Sequence, residues 1–238
     1  MLKKANKEVR CKICPVLDDC VSIDYNDNLY YELMNSYKMN DKFYEKKEII
    51  FFNETKFNKV MTIISGWILE YRILPDGQRS IVNIFTPGDF IGFNIDDNFL
   101  TKSTFVAQTD VKCCILDNKS FKNYMINKPF VAHKVIKKLA LNVENMSNYL
   151  TSLGRTDSQS RICFLIYSLA QKVYKYNYSN IIGKNINIPL SQEDIADILG
   201  LTAVHVSRSI KRLCDKNIIS VNKKSYKLLS LNNINKLV

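Results

Sequence analysis

The chain has no run of about 18 consecutive apolar residues, which argues against a membrane-spanning helix. Only two of its 238 residues are histidines, His133 and His205, so there is little imidazole for acid–base chemistry, and an enzyme is not expected. The basic opening MLKKANKEVRCK has no apolar stretch behind it and does not resemble a secretory signal. The expected location is therefore the cytoplasm. A disulfide framework is not expected there, which shifts attention to metal binding or redox sensing by the seven cysteines, an odd number. Acidic residues are scarce towards the C-terminus: from Gly200 onward Asp215 faces eight Lys/Arg.

Hydrophobic content of 46% and charged content of 24% are ordinary for a soluble globular protein. The length allows one large or two modest domains. The net charge of +11 is uneven. Residues 155–238 hold 13 Lys/Arg against 5 Asp/Glu, whereas the first 154 hold 21 against 18. A compact basic C-terminal third is the electrostatic footprint of a nucleic-acid binder.

Along the chain, Tyr30, Leu33, Met34 and Tyr37 stand at helical spacing. From about Glu48 to Leu116 the pattern is β. The runs EIIFF, VMTII, WILEYRIL and RSIVNIF are separated by turn signals at Ser65-Gly66, Pro75-Asp76-Gly77 and Pro87-Gly88-Asp89. Strands this close without intervening helices suggest a small barrel or roll. Beyond Pro129, the residues Ile136, Leu139, Val143, Met146, Leu150 and Leu153 form an uncharged heptad seam with polar flanks that include Lys137 and Lys138. So narrow a seam suits one partner helix better than a broad core, and it predicts a dimer-forming helix closed by Gly154.

The stretch LSQEDIADILGLTAVHVSRSIKRLCDKNIISVNKKSYKLLSL reads as helix, tight turn, helix and two-stranded wing. Ser191 and Asp194 form a candidate capping box, and Thr202 can cap the second helix. Val206, Ile210 and Leu213 make that helix's inner face; Val204, His205, Ser207, Arg208, Lys211 and Arg212 its outer face. In the major groove of DNA, Arg208 can donate two bonds to guanine and Ser207 can reach a base or phosphate. Lys211, Arg212 and the wing-tip residues Lys223 and Lys224 can meet phosphates. The segments are 1–24 (cysteine segment), 25–130 (roll), 131–154 (dimerisation helix) and 155–238 (winged helix-turn-helix domain).

The segment CKICPVLDDC places Cys11, Cys14 and Cys20 two and then five residues apart. Such thiols are accidental neighbours, a redox pair or metal ligands. A thioredoxin-like motif fits poorly because no βαβ pattern follows.

Roll, long helix and winged helix in this order resemble the Crp/Fnr superfamily of bacterial transcription regulators. The resemblance spans nearly the whole chain. It is carried by SGWILEYRILPDGQRSIVNIFTPGDFIGF, with Gly66, Gly77, Gly88 and Gly92 at the turns, and by ILGLTAVHVSRSIKRL in the recognition helix. It implies an α+β fold with a cyclic-nucleotide-binding-like β-roll (a double-stranded β-helix), a homodimer, an inverted-repeat operator in double-stranded DNA, and RNA polymerase as a partner. Val204 replaces a glutamate found in many members, which favours a thymine methyl over a cytosine as its neighbour. Phe93 and Ser103 stand where cyclic-nucleotide-binding branches carry glutamate and arginine, so cyclic AMP is not expected.

The Fnr-like branch binds a 4Fe-4S cluster through three N-terminal cysteines at this spacing and one from the roll. The resemblance puts the fourth ligand at Cys114, giving a sensor of oxygen, nitric oxide or redox state. Strand alternation in VKCCIL points the same way: Val111, Cys113 and Ile115 share a core-facing side, leaving Cys114 on the Lys112 side. Arg10, Lys12 and Lys112 would offset the cluster's negative charge. Zinc on the same four cysteines is the main alternative. A sensor of haem-bound gas or of a small molecule in the same scaffold is another, with the cysteines as redox thiols. Cys113, Cys163 and Cys214 are expected as small buried residues, and His133 as a surface residue rather than a haem ligand.

Overall fold

The computed structural model describes residues 11–20, 38–94, 96, 98–155, 157–174 and 181–229. The helix expected around Tyr30–Tyr37 lies outside these residues. Two compact units emerge, one within 1–72 and 82–140 and the other within 73–81 and 141–238.

The first unit is a roll of two four-stranded sheets. Its strands are β1 (Lys38–Tyr44), β2 (Ile49–Phe51), β3 (Lys59–Ser65), β4 (Ile68–Ile73), β5 (Arg79–Phe85), β6 (Phe90–Ile91), β7 (Thr104–Ala107) and β8 (Val111–Asp117). One sheet has the order β1-β8-β3-β6, the other β2-β7-β4-β5. Met61, Ile63, Val111, Cys113 and Ile115 from the first sheet share a core with Ile68, Phe85, Phe105 and Ala107. Gly66 permits the β3–β4 turn: its φ is +90°, and a Cβ there would sit 2.2 Å from the Asp110 carbonyl oxygen.

The first sheet also buries its outer face. Val60 and Leu116 turn away from the inter-sheet core and meet Phe121 and Tyr124 of α1 (Asn118–Asn127), Val131 and Val135 of α2 (Pro129–Arg155), and Cys11. Asp117 starts α1 as its N-cap, accepting the Ser120 N–H at 2.8 Å. Helix α2 continues through Gly154 to Arg155 rather than stopping at the glycine. A positive φ is absent at Gly154, so nothing in its backbone interrupts the helix.

The second unit contains α3 (Ser158–Val173), β9 (Asn185–Asn187), α4 (Gln192–Leu199), α5 (Ala203–Asp215), β10 (Ile219–Asn222) and β11 (Ser225–Leu228). The expected two-stranded wing is three-stranded, in the order β10-β11-β9, because Ile186 pairs with Tyr226 and buries itself completely. The capping box is present in full: Asp194 N–H donates to Ser191 Oγ, and Ser191 N–H donates to Asp194 Oδ2. Arg79 donates to Asp194 at 2.6 Å and to Asp197 at 2.7 Å. Burial alone would raise the Asp194 pKa, but the bonds from Ser191 and Arg79 outweigh it and hold the carboxyl below its ordinary value. Its contribution to stability is therefore present at neutral pH and lost as acid titrates it.

Candidate cysteine centre and nucleic-acid interface

Cys11–Ile13 and Leu17–Asp19 are single turns of 3-10 helix. They are chained by backbone bonds from Cys14 N–H to the Cys11 carbonyl and from Cys20 N–H to the Leu17 carbonyl, each 3.1 Å. Cys11 is buried, while Cys14 and Cys20 are partly exposed. Cys11, Leu17 and Cys20 pack into the cluster formed by Val60, Leu116 and the two helices.

Strand register places Cys114 on this same face. Cys114 lies opposite Asp41 on β1 and Thr62 on β3, and Thr62 lies opposite Phe90 on β6. Residues paired in this way project from one side of a sheet, so Asp41, Cys114, Thr62 and Phe90 form a row beside the Val60–Leu116 pair. The structure thus brings Cys11 and Cys20 to the face that carries Cys114. It does not gather the four thiols into a ligand set: among the described residues no three of His, Cys, Asp or Glu are close enough to hold a metal. Thr62 Oγ1, buried in the Cys114 row, has no hydrogen-bond partner among the described residues. An unused hydroxyl beside a thiol suits a sulfur acceptor, and together with the all-thiol donor set it fits an iron–sulfur or zinc site.

The remaining cysteines differ. Burial, aided by the Asp41 charge, pushes the Cys113 thiol up to about 12, and burial pushes Cys163 up to about 11. Both are fully enclosed, so neither readily supplies the thiolate a metal needs. Cys214 is only partly buried, contrary to expectation: it lies on the rim of α5 rather than with Val206, Ile210 and Leu213 inside.

Lys112 also departs from expectation. Its ammonium pairs with the buried Asp41 carboxylate at 3.3 Å, so its charge is already engaged within the sheet. Two other lysines escaped the sequence reading. On α2, Lys134 Nζ donates to the Cys20 carbonyl at 3.4 Å, and Lys138 Nζ donates to the Asp19 carbonyl at 3.3 Å. Lys138 also donates to the Gly88 carbonyl and lies 3.9 Å from Asp89. Lys138 is therefore not a solvated flank of the seam. The one hint was its helical spacing of four from Lys134, on a face turned away from Ile136 and Leu139. His133 is exposed, as expected.

The seam remains open. Ile136 is 63% exposed, Leu139 43%, Val143 63%, Met146 53% and Leu150 66%; Leu153 is half-buried. A stripe this apolar would normally be covered, whereas Val131 and Val135 in the helix's first turns are enclosed.

In the second unit, α4 ends at Gly200 with φ +63°, and the turn delivers Thr202 as the N-cap of α5, accepting the His205 N–H at 3.2 Å. Val206, Ser209, Ile210 and Leu213 are buried, with Ser209 Oγ 2.8 Å from Ser158 Oγ. Thr202, Val204, His205, Ser207, Arg208, Lys211 and Arg212 are all exposed. Lys223 and Lys224 are exposed at the β10–β11 turn, with Lys223 at φ +55°. The structure therefore presents a basic helix face and a basic wing tip without internal carboxylate partners for Arg208, Lys211 or the two wing lysines among the described residues. No described helix is long and apolar enough to cross a membrane.

Residues 41–128 match the cyclic nucleotide-binding domain family, and residues 160–238 match the Crp-like helix-turn-helix domain family. The chain is 24% identical over 225 residues to the transcriptional activator protein FnrL of Cereibacter sphaeroides, covering 93% of this chain and 88% of the relative. It is 21% identical over 230 residues to the anaerobic regulatory protein of Haemophilus influenzae, covering 97% and 87%. Among solved structures, FixK2 from Bradyrhizobium japonicum superposes with a TM-score of 0.73 at 22% identity, covering 83% of this chain and 96% of that one. A CooA variant from Carboxydothermus hydrogenoformans gives 0.69 at 21%, covering 89% and 92%.

Thiol burial predicts an order of reactivity. Iodoacetamide at a pH of about 8 should modify Cys14 and Cys20 well before Cys113 and Cys163 in the reduced, metal-free chain, because burial both raises the Cys113 and Cys163 thiols and shields them from the reagent. Peptide mass spectrometry reads the order. Early labelling of Cys113 would contradict its enclosed position.

Proposed function

The chain belongs to the Crp/Fnr family of DNA-binding transcription regulators, whose members are not enzymes, and from that premise we propose that it senses oxygen, nitric oxide or redox state through a 4Fe-4S cluster. Cys11, Cys14, Cys20 and Cys114 would hold the cluster. The observation that carries this reading is the packing of Cys11 and Cys20 on the sheet face from which Cys114 projects. Thr62 supports it as a nearby hydroxyl able to donate to sulfur. When bound, the cluster supplies an oxidant-labile tie between the N-terminal segment and the roll.

The protein's own residues supply the rest. Cys11 and Leu17 pack against the cluster of residues that includes Val131 and Val135 of α2, so the position of the segment bears on that helix. The exposed seam of Ile136, Leu139, Val143, Met146, Leu150 and Leu153 pairs two copies of α2 in a homodimer. The dimer presents two α5 helices to successive major grooves of an inverted repeat. Arg208 and Ser207 read base edges, and Val204 sits against a thymine methyl. Thr202, His205, Lys211, Arg212, Lys223 and Lys224 line the surrounding backbone. A shift in α2 pairing changes the spacing of the two reading heads and hence DNA affinity. RNA polymerase is the partner at the promoter, and the site of action is the cytoplasm.

Anaerobically purified protein should be brown, with near-equal iron and sulfide, and should bleach in air. Cys114→Ser should abolish the colour and Cys113→Ser should leave it. A colourless chain carrying one zinc would replace this reading with the zinc alternative.

On DNA, Arg208→Ala should cost about 1–3 kcal/mol on the selected operator and relax preference at one base pair per half-site. Lys224→Ala should weaken all sequences alike and flatten the salt dependence. Selection from random DNA followed by titration at two salt concentrations measures both. Unchanged specificity for Arg208→Ala would show that α5 does not read the groove.

A further inference from the structure

The cysteine segment is held to α2 by more than apolar contact. Lys138 is only 20% exposed at its side chain, and its ammonium meets three oxygen groups from two distant parts of the chain: the Asp19 carbonyl, the Gly88 carbonyl and the Asp89 carboxylate. One turn earlier, Lys134 donates to the carbonyl of Cys20 itself. Bonds from an ammonium are stronger than neutral ones, and partial burial keeps them from being screened.

The receiving loop is hydrogen-bonded at several points. Asp89 Oδ2 accepts from Thr86 N–H at 2.9 Å and from Thr86 Oγ1 at 3.2 Å. Gly88 N–H donates to the Ile63 carbonyl, and Ile63 N–H to the Asp89 carbonyl, both at 2.9 Å. The loop is thus fastened to β3, next to the strand that carries Cys114. Gly88 also makes room for the segment: a Cβ there would lie 2.6 Å from Asp19 Cβ. Its φ of +93° and its missing side chain together let Asp19 sit directly on the loop.

We propose that Lys138, assisted by Lys134, is a positioning residue for the cysteine segment. It gathers the Asp19 carbonyl, the 88–89 loop and α2 into one node that fixes where Cys20 stands relative to the sheet. The proposal deepens the cluster reading and rests on it for its sensory meaning. The node itself is a property of the chain without any metal. It makes the third cysteine the point at which α2 feels the segment: when residues 11–20 leave the sheet, Lys134 loses the Cys20 carbonyl and Lys138 the Asp19 carbonyl, on the same helix that carries the seam.

The test uses the full-length chain, reduced and metal-free, with iodoacetamide labelling of Cys20 followed by mass spectrometry. Lys138→Met keeps an apolar stem of similar length but removes the ammonium. Cys20 labelling should accelerate by about tenfold as the segment opens more often, with Cys163 unchanged as an internal reference. Lys137→Met, on the exposed side of the same turn, should label like the unmodified protein. If Lys138→Met does not fold by circular dichroism, Lys134→Met carries the test with a smaller acceleration of Cys20.

A second arm loads iron and sulfide anaerobically and follows the loss of visible absorbance in air, which should be faster in Lys138→Met. If the unmodified chain takes up no cluster, the cluster reading fails while the labelling arm still decides the role of the lysines. Cys20 labelling that is unchanged in both lysine variants would overturn the proposal.

Discussion

Val60 and Leu116 lie on the outer side of a sheet whose other side is already committed to the roll's core, and the structure depends on covering them. Left to water they would forfeit about 25 cal/mol for each Å² of apolar surface. Instead they are 0% and 2% exposed, beneath Phe121, Tyr124, Val131, Val135 and Cys11. That cover draws two otherwise unrelated pieces onto one patch: the start of α2 and the cysteine segment. Val131 and Val135, in the first turns of α2, are enclosed on this patch, whereas the heptad residues from Ile136 to Leu150 are exposed. The open seam begins where this cover ends, after Val135.

Under the proposed function, this arrangement is a physical route from thiol chemistry to DNA. Cys11, Cys20, the lysine node and the seam all sit on or against a single continuous helix of 27 residues. A change at Cys20 need not travel through the roll's interior, where Cys113 is fully enclosed and its thiol raised by burial. It acts on the surface that α2 shares with the segment. The exposed polar face of α5 is built independently of this patch, by its own N-cap and by Val206, Ile210 and Leu213, so its presentation of Arg208 is a local property.

Much of this was legible in the sequence because strong local signals agreed with the tertiary outcome. The capping box at Ser191, the turn at Gly200, the alternation in VKCCIL and the heptad spacing each express one periodicity or one cap. The elements that escaped notice have weak local signals. β9 is a single apolar residue, Ile186, between two asparagines, and it becomes a strand only because β11 offers an edge. β1, KMNDKFY, is mostly polar and is held by its pairing with β8. The engagement of Lys112 with Asp41 and of Lys138 with residues 19, 88 and 89 joins positions dozens of residues apart, which no periodicity encodes. Lys138 illustrates the limit: beside Lys137 it looks like a second solvated lysine, and only the approach of Gly88 to Asp19 gives it partners.

The central claim is that the state of the cysteine segment is felt along α2. Hydrogen–deuterium exchange over residues 129–155 tests it most directly, comparing anaerobic, iron- and sulfide-loaded protein with the same sample after exposure to air. The account predicts slower amide exchange along α2 in the loaded protein, extending beyond Lys138 into the seam, with little change in α5. Identical exchange of α2 in the two samples, despite loss of the cluster, would contradict it.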